Sequence, residues 1–206
     1  SQRLTLNPTD PPLTANYDQR AAVTQTFTLH FPNNTLIFAA PEPIAVSRPV
    51  WVETLPGTPN VDATIWTSIQ PLNDGDSYRV VSSLSTASTD QLRSAGTAYP
   101  RSISDRYLQL PNSLPSRVRD LARQIVTKAN AANSFDQAAA IEAWLRANIV
   151  YNDAIPGPQA GQDGVDYVLF DAKKGYCDYY ASAMAVMARS LGIPARVATG
   201  YASGEY

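Results

Sequence analysis

A change of hydrophobic period partway along the chain limits what it can fold into. From Val23 the residues alternate: Val23, Gln25, Phe27, Leu29 and Phe31 share one face of an extended chain, and Thr24, Thr26, Thr28 and His30 share the other. Beyond about residue 115 the period becomes helical. There Val118, Leu121, Ala122, Ile125 and Val126 follow the i, i+3, i+4, i+7, i+8 plan of one buried stripe. Neither pattern can bury its apolar face in the other's geometry, so the order is β first and helical afterwards, an α+β protein.

Shorter β-like runs follow the first strand at Thr35–Ala39, Val50–Thr54, Thr64–Ile69 and Ser77–Ser83. Turn signals such as Pro56-Gly57 and Asn73-Asp74-Gly75-Asp76 separate them. This predicts a small antiparallel sandwich or barrel over 19–105. Pro41, Pro43 and Pro49 fall between the runs or at their ends, where no ladder bond needs the missing N–H. Residues 1–18, rich in Pro, Asn and Asp without a period, read as an extended arm, and 86–115 reads as a linker.

A helix is predicted over 116–129. A second is predicted to start at Ser134-Phe-Asp-Gln137, a capping-box spacing, to bury Ile141, Leu145 and Ile149, and to end near 148–151. The stretch from Asn152 to Gly164 carries too many chain breakers for regular structure and reads either as a surface excursion or as a lid over a site.

Composition removes several function classes. With 44% hydrophobic and 17% charged residues the chain can bury a real core, and a net charge of −2 provides no basic field for nucleic acid. The longest apolar run, Ala183–Ala188, is far short of the roughly 20 residues of a membrane span. The N-terminal SQRLTLNPTDPP lacks a signal-peptide plan, so targeting and membrane attachment are expected to lie outside these residues. One cysteine and one histidine form neither a disulfide nor a Cys/His zinc site, so no metal or cofactor is expected.

That cysteine sits at an informative place. After Gly175-Tyr176-Cys177, the run DYYASAMAVMARSLGIP predicts an apolar helix closed by Gly192 and Pro194. Cys177, Ala181, Met184, Ala188 and Leu191 form its expected buried stripe, and Gly175 is expected in a tight turn before it. Unpaired amides and the helix dipole at such an end stabilise a thiolate over a thiol, with Lys173 and Lys174 able to add positive potential. Two readings of Cys177 stay open on the residues alone: a primed nucleophile, or a small buried packing residue.

The strings Phe170-Asp-Ala-Lys-Lys-Gly-Tyr-Cys-Asp-Tyr-Tyr-Ala-Ser-Ala and Met187-Ala-Arg-Ser-Leu-Gly-Ile-Pro, continuing to Glu205, resemble the transglutaminase-like superfamily. With Arg106-Tyr-Leu-Gln-Leu-Pro upstream, the resemblance extends over 106–206 and points to its bacterial membrane-anchored branch. It implies that 106–206 is the helical, N-terminal part of a papain-type core. It also implies that Cys177 is the nucleophile of a Cys-His-Asp triad, attacking a protein or peptide amide to give a thioester. Its own backbone N–H becomes the first oxyanion donor.

The resemblance further implies an extracytoplasmic domain, periplasmic or at the cell surface, of a membrane protein. The family's histidine strand would follow Thr199–Glu205, whereas the chain's one histidine, His30, lies on the polar face of an early strand. A truncated enzyme, an inactive family member serving as a binding or scaffolding module, and a second chain supplying the missing groups all remain open. In each case these residues alone are expected to turn over little or nothing. Tyr179, Tyr180 and Tyr201 are candidates either for lining a cleft or for packing.

Overall fold

The computed structural model describes residues 2–13, 18–54 and 63–201. They fall in two compact units, Ser1–Ala87 and Ser88–Tyr206. The turn expected at Pro56-Gly57 lies outside the described residues.

The first unit is a sandwich. Strands β1 (Gln2–Leu6), β2 (Arg20–Thr28), β3 (Asn34–Leu36), β4 (Pro43–Val46), β5 (Val50–Thr54), β6 (Ala63–Leu72) and β7 (Ser77–Ser85) form two antiparallel sheets. Their orders are β1-β5-β6-β3 and β2-β7-β4. Val50, Val52, Trp66 and Leu72 of one sheet meet Val46, Tyr78 and Val80 of the other in a single core, joined by Leu13 and Leu29. Tyr78 is tied at its hydroxyl, which accepts from the Phe38 amide at 2.6 Å and donates to the Phe38 carbonyl at 3.0 Å. Burial raises the phenol's pKa above its ordinary value.

On β2 the alternation gives the anticipated wet face, with Thr24, Thr26, Thr28 and His30 exposed. The strand stops at Thr28, because the Asn73–Asp76 turn closes on Leu29 through Leu29 N to Asp76 O (3.0 Å) and Gly75 N to Leu29 O (2.8 Å). Phe31 therefore falls beyond the ladder and is 44% exposed, not buried as its register suggested. Nor is the N-terminal stretch simply an extended arm: Gln2–Leu6 pairs antiparallel with β5, and Leu4 and Leu6 pack on the core. Pro43 opens β4, an edge strand, where its missing N–H leaves no ladder bond unmade.

The second unit starts with two short helices, α1 (Thr89–Ser94) and α2 (Arg101–Tyr107), in the stretch read as linker and, up to residue 105, as β domain. A reciprocal capping box between Ser88 and Gln91 nucleates α1. Arg93 Nε then donates to Asp136 Oδ1 at 2.9 Å, tying α1 to the helices that follow. Helices α3 (Ser116–Lys128) and α4 (Ser134–Asn148) bury the anticipated residues: Val118, Ala122, Ile125 and Val126 from one, Ile141 and Leu145 from the other. Ile149 is buried just beyond α4.

The start of α4 is capped differently from the capping box expected there. Asn133 is the N-cap and accepts from the Asp136 amide at 2.9 Å, Ser134 bonds to the Tyr99 hydroxyl at 3.0 Å, and Gln137 donates to the Ala131 carbonyl at 3.4 Å. Asn and Ser are nearly equal as N-caps, so spacing alone could not choose between adjacent positions.

The chain continues through β8 (Val150–Tyr151), a single helical turn α5 (Gly164–Asp166), a π-helical turn (Tyr167–Ala172), β9 (Lys174–Gly175) and α6 (Cys177–Ser190). Strands β8 and β9 pair in parallel. Val118, Ile141, Val168, Leu169 and Met187 form the centre of one helical core, each almost wholly out of water, at about 1.5–3 kcal/mol apiece.

The Arg93 guanidinium, with help from Asn133, holds the Asp136 carboxyl below its ordinary pKa of 3.8. A carboxylate whose pKa is lowered by folding stabilises the fold above the unfolded value and loses that contribution as pH falls through the folded one. The stability difference between the wild type and Asp136→Asn, read from urea midpoints, is therefore expected to be level near neutrality and to narrow as pH drops below 3.8.

Candidate active site

The approach to Cys177 is built from tightly bonded pieces. Asp163 caps α5, its Oδ1 accepting from Val165 N at 2.9 Å and Asp166 N at 3.0 Å. Asp166 is buried, and the Arg117 guanidinium of α3 grips both its oxygens at 2.5 Å while lying 4.3 Å from the Phe170 ring centroid. The pairing raises the pKa of Arg117, chiefly through the hydrogen bond to Asp166. This clamp holds the π-helical turn against α3.

Lys173 ends that turn in the left-handed region at φ 49°, a conformation that costs a non-glycine residue roughly 1 kcal/mol. Its amide donates to Val168 O at 3.1 Å and its carbonyl accepts from Val150 N at 3.0 Å. The reversal anticipated at Gly175 is thus made at Lys173. Gly175 is a buried strand residue whose requirement is space: a Cβ there would stand 3.0 Å from Tyr179 Cβ and 3.1 Å from Val168 Cγ2.

Cys177 is the first residue of α6, and Tyr176 as N-cap gives the helix no side-chain acceptor. The thiol is exposed, not buried. It donates over 3.7 Å to Asp178 Oδ1, a partner that sequence reasoning did not single out. The expected stripe is corrected at its N-terminal end. Met184 and Leu191 do pack on the core and Ala188 is buried, but the face centres on Tyr180, Ala183 and Met187, to one side of Cys177. The helix stops as predicted: Gly192 takes φ 81°, with Ile193 N to Ala188 O and Gly192 N to Arg189 O both at 3.0 Å.

The aromatic neighbours are mostly packing residues. Tyr179 and Tyr180 are half-buried against the core, and the Tyr180 hydroxyl donates to the Ile149 carbonyl while its ring stacks on Tyr151. Tyr201 is exposed. A groove of about 220 Å³ lies along the side of α6 next to the cysteine, with Asp178 and Tyr179 on one wall and Asp163 on the other; Cys177 itself is not part of its lining.

Lys173 and Lys174 are exposed. His30 belongs to the β unit, exposed, with Nδ1 3.6 Å from Asp74 Oδ1, and residues 88–206 contain no histidine. Among the described residues no three His, Cys, Asp or Glu side chains gather as a metal site, and no helix is long and apolar enough to cross a membrane.

Residues 119–206 match the Transglutaminase-like superfamily. The uncharacterized protein YebA of Bacillus subtilis is 48% identical over 105 residues, which is 50% of this chain and 14% of that protein. A protein-glutamine gamma-glutamyltransferase of Pseudomonas aeruginosa is 41% identical over 100 residues, 48% of this chain and 14% of that enzyme. The chain thus spans about one seventh of these curated relatives. The crystal structure of the periplasmic domain of TgpA from Pseudomonas aeruginosa, bound to ethylmercury, superposes with a TM-score of 0.51 at 26% identity. The similarity covers 98% of this chain and 58% of that one.

Two substitutions test the architecture that leads to the thiol. Gly175→Ala is expected to cost about 1–3 kcal/mol, because neither the Tyr179 Cβ on α6 nor Val168 can retreat freely, and chemical denaturation measures it. Arg117→Ala strands the buried Asp166 carboxylate and is expected to lower Tm clearly more than Arg123→Ala, which breaks only an exposed i,i+3 pair with Asp120.

Proposed function

We propose, from the match of residues 119–206 to the transglutaminase-like superfamily, that Cys177 is the nucleophile of an enzyme transferring acyl groups from protein or peptide amides. The observation that carries the proposal is the exposed thiol at the first position of α6, inside the matched segment and held by a rigid approach.

The thiolate attacks the carboxamide carbon, the new C–S bond forms, and ammonia leaves with a proton from the general acid. An amine or water then resolves the thioester and returns the thiolate. The backbone N–H of Cys177, uncapped by Tyr176, is the first donor to the oxyanion. The base has to come within about 3 Å of the nucleophile. Residues 88–206 contain no histidine that could serve as that base.

Similarity to a protein-glutamine gamma-glutamyltransferase favours glutamine amides as acyl donors, with transamidation ahead of hydrolysis. Similarity to a periplasmic domain supports an extracytoplasmic location, with membrane attachment through segments outside these residues.

In the protein as its gene encodes it, incorporation of a fluorescent amine into a glutamine peptide is expected to fall at least about 10³-fold in Cys177→Ala. The 206 residues alone are expected to show little or no turnover. Turnover that survives Cys177→Ala would sink the nucleophile assignment. A gene-encoded protein inert toward every amide donor would leave a binding module as the better reading.

A further inference from the structure

We propose that Tyr180 is a positioning residue for the reaction at Cys177: its side chain stands in for the cap that α6 lacks and keeps the first turn, with the nucleophile in it, in place. This rests on the acyl-transfer reading and deepens it.

Helix α6 begins without help from its N-cap, because Tyr176 offers no side-chain acceptor. The Tyr176 carbonyl takes the first bonds of the turn, from Tyr179 N at 3.0 Å and Tyr180 N at 3.2 Å. A side-chain cap contributes about 1 kcal/mol to such an end, and an end without one frays more readily. Its omission suits the chemistry. A capping oxygen would occupy the space in front of the first-turn amides, where an oxyanion held by the Cys177 N–H has to form.

The anchor comes from the far side of the turn. Tyr180 follows Cys177 by three residues, close to one helical turn. Its hydroxyl donates to the Ile149 carbonyl, and its ring stacks on Tyr151 with centroids 6.4 Å apart at 25°. Ile149 is the buried C-cap of α4, and its carbonyl lies past the reach of that helix's own amides. One hydrogen bond therefore satisfies the end of α4 and holds the start of α6.

The same short segment also grips the chain before the cysteine. Val150 N donates to Lys173 O at 3.0 Å and Asn152 N to Gly175 O at 2.9 Å. Residues 149–152 thus bracket Cys177, with backbone bonds to the approach strand before it and the Tyr180 side chain after it. Without the hydroxyl the cysteine stays attached to β9, but the turn that aims its thiol and its amide is free to open. Misplacing a reacting group by about 1 Å can cost on the order of 10²-fold in rate, so the loss falls on kcat more than on KM.

Tyr180→Phe keeps the ring and removes the hydroxyl. In the gene-encoded protein, kcat for amine incorporation into a glutamine peptide is expected to fall about tenfold with KM within about twofold. Hydrogen exchange at the Tyr179 and Tyr180 amides is expected to quicken about tenfold, with exchange in α3 as in the wild type. Tyr99→Phe removes another hydroxyl bond of the same unit, the one to Ser134 Oγ at 3.0 Å, and is expected to leave both readouts as in the wild type.

An unchanged kcat in Tyr180→Phe, in a protein that Cys177→Ala inactivates, overturns the positioning role and leaves the nucleophile standing. So does a fall in kcat without a selective rise in exchange at Tyr179 and Tyr180, since equal rises in α3 and α6 mark a general loosening of the fold. Where turnover survives Cys177→Ala and the nucleophile assignment fails, exchange decides alone, and first-turn amides no faster in Tyr180→Phe overturn the anchor.

Discussion

Asp166 is a carboxylate whose side chain is only 8% exposed, and the helical unit is organised around the need to satisfy it. An unpaired charge at that depth would cost several kcal/mol. Arg117 meets it with two parallel hydrogen bonds at 2.5 Å, the geometry in which guanidinium and carboxylate bind with both strength and direction. Because Arg117 stands at the start of α3 and Asp166 at the end of α5, the pair fixes where the π-helical turn begins. That turn leads through Lys173, Lys174 and Gly175 to the cysteine.

The remainder of the approach has similarly little freedom. The left-handed Lys173 is held by hydrogen bonds on both its amide and its carbonyl, β9 is zipped to β8, and Gly175 lies so close to Tyr179 and Val168 that a Cβ there would force them to give way. A nucleophile gains from such support, since its position is set before a substrate arrives. The π-helical turn is the irregular element of this path, and such turns are often found at functional sites. The cysteine at the end of this path has an exposed side chain.

Legibility differed from element to element for physical reasons. Helices α3 and α4 were readable because each buries a continuous stripe, and the C-terminal stop of α6 was readable because Gly192 is in a left-handed conformation that favours glycine. Strand β1 escaped because five residues beside a Pro-rich run carry little periodic signal, and only pairing with β5 makes them a strand. Helices α1 and α2 bury no residue fully, so they leave no stripe to detect; the Ser88–Gln91 capping box was the available signal. At the candidate site, the Asp163-Gly164-Val165-Asp166 run contains a cap and a buried acid, yet nothing local says that Arg117, far upstream, completes it.

By itself the sequence determined the order of a β part and a helical part, the helix headed by Cys177, and the resemblance of its C-terminal segment to the transglutaminase-like superfamily. These follow from periodicity and chain breakers, which are properties of neighbouring residues. Only the tertiary structure decided that the thiol faces solvent, that Asp178 touches it, that Gly175 serves close packing and not a turn, and that Asp163 and Asp178 share a groove. Those outcomes depend on how α5, the π-helical turn and α6 pack, and contacts between segments set apart in the chain carry no local signature.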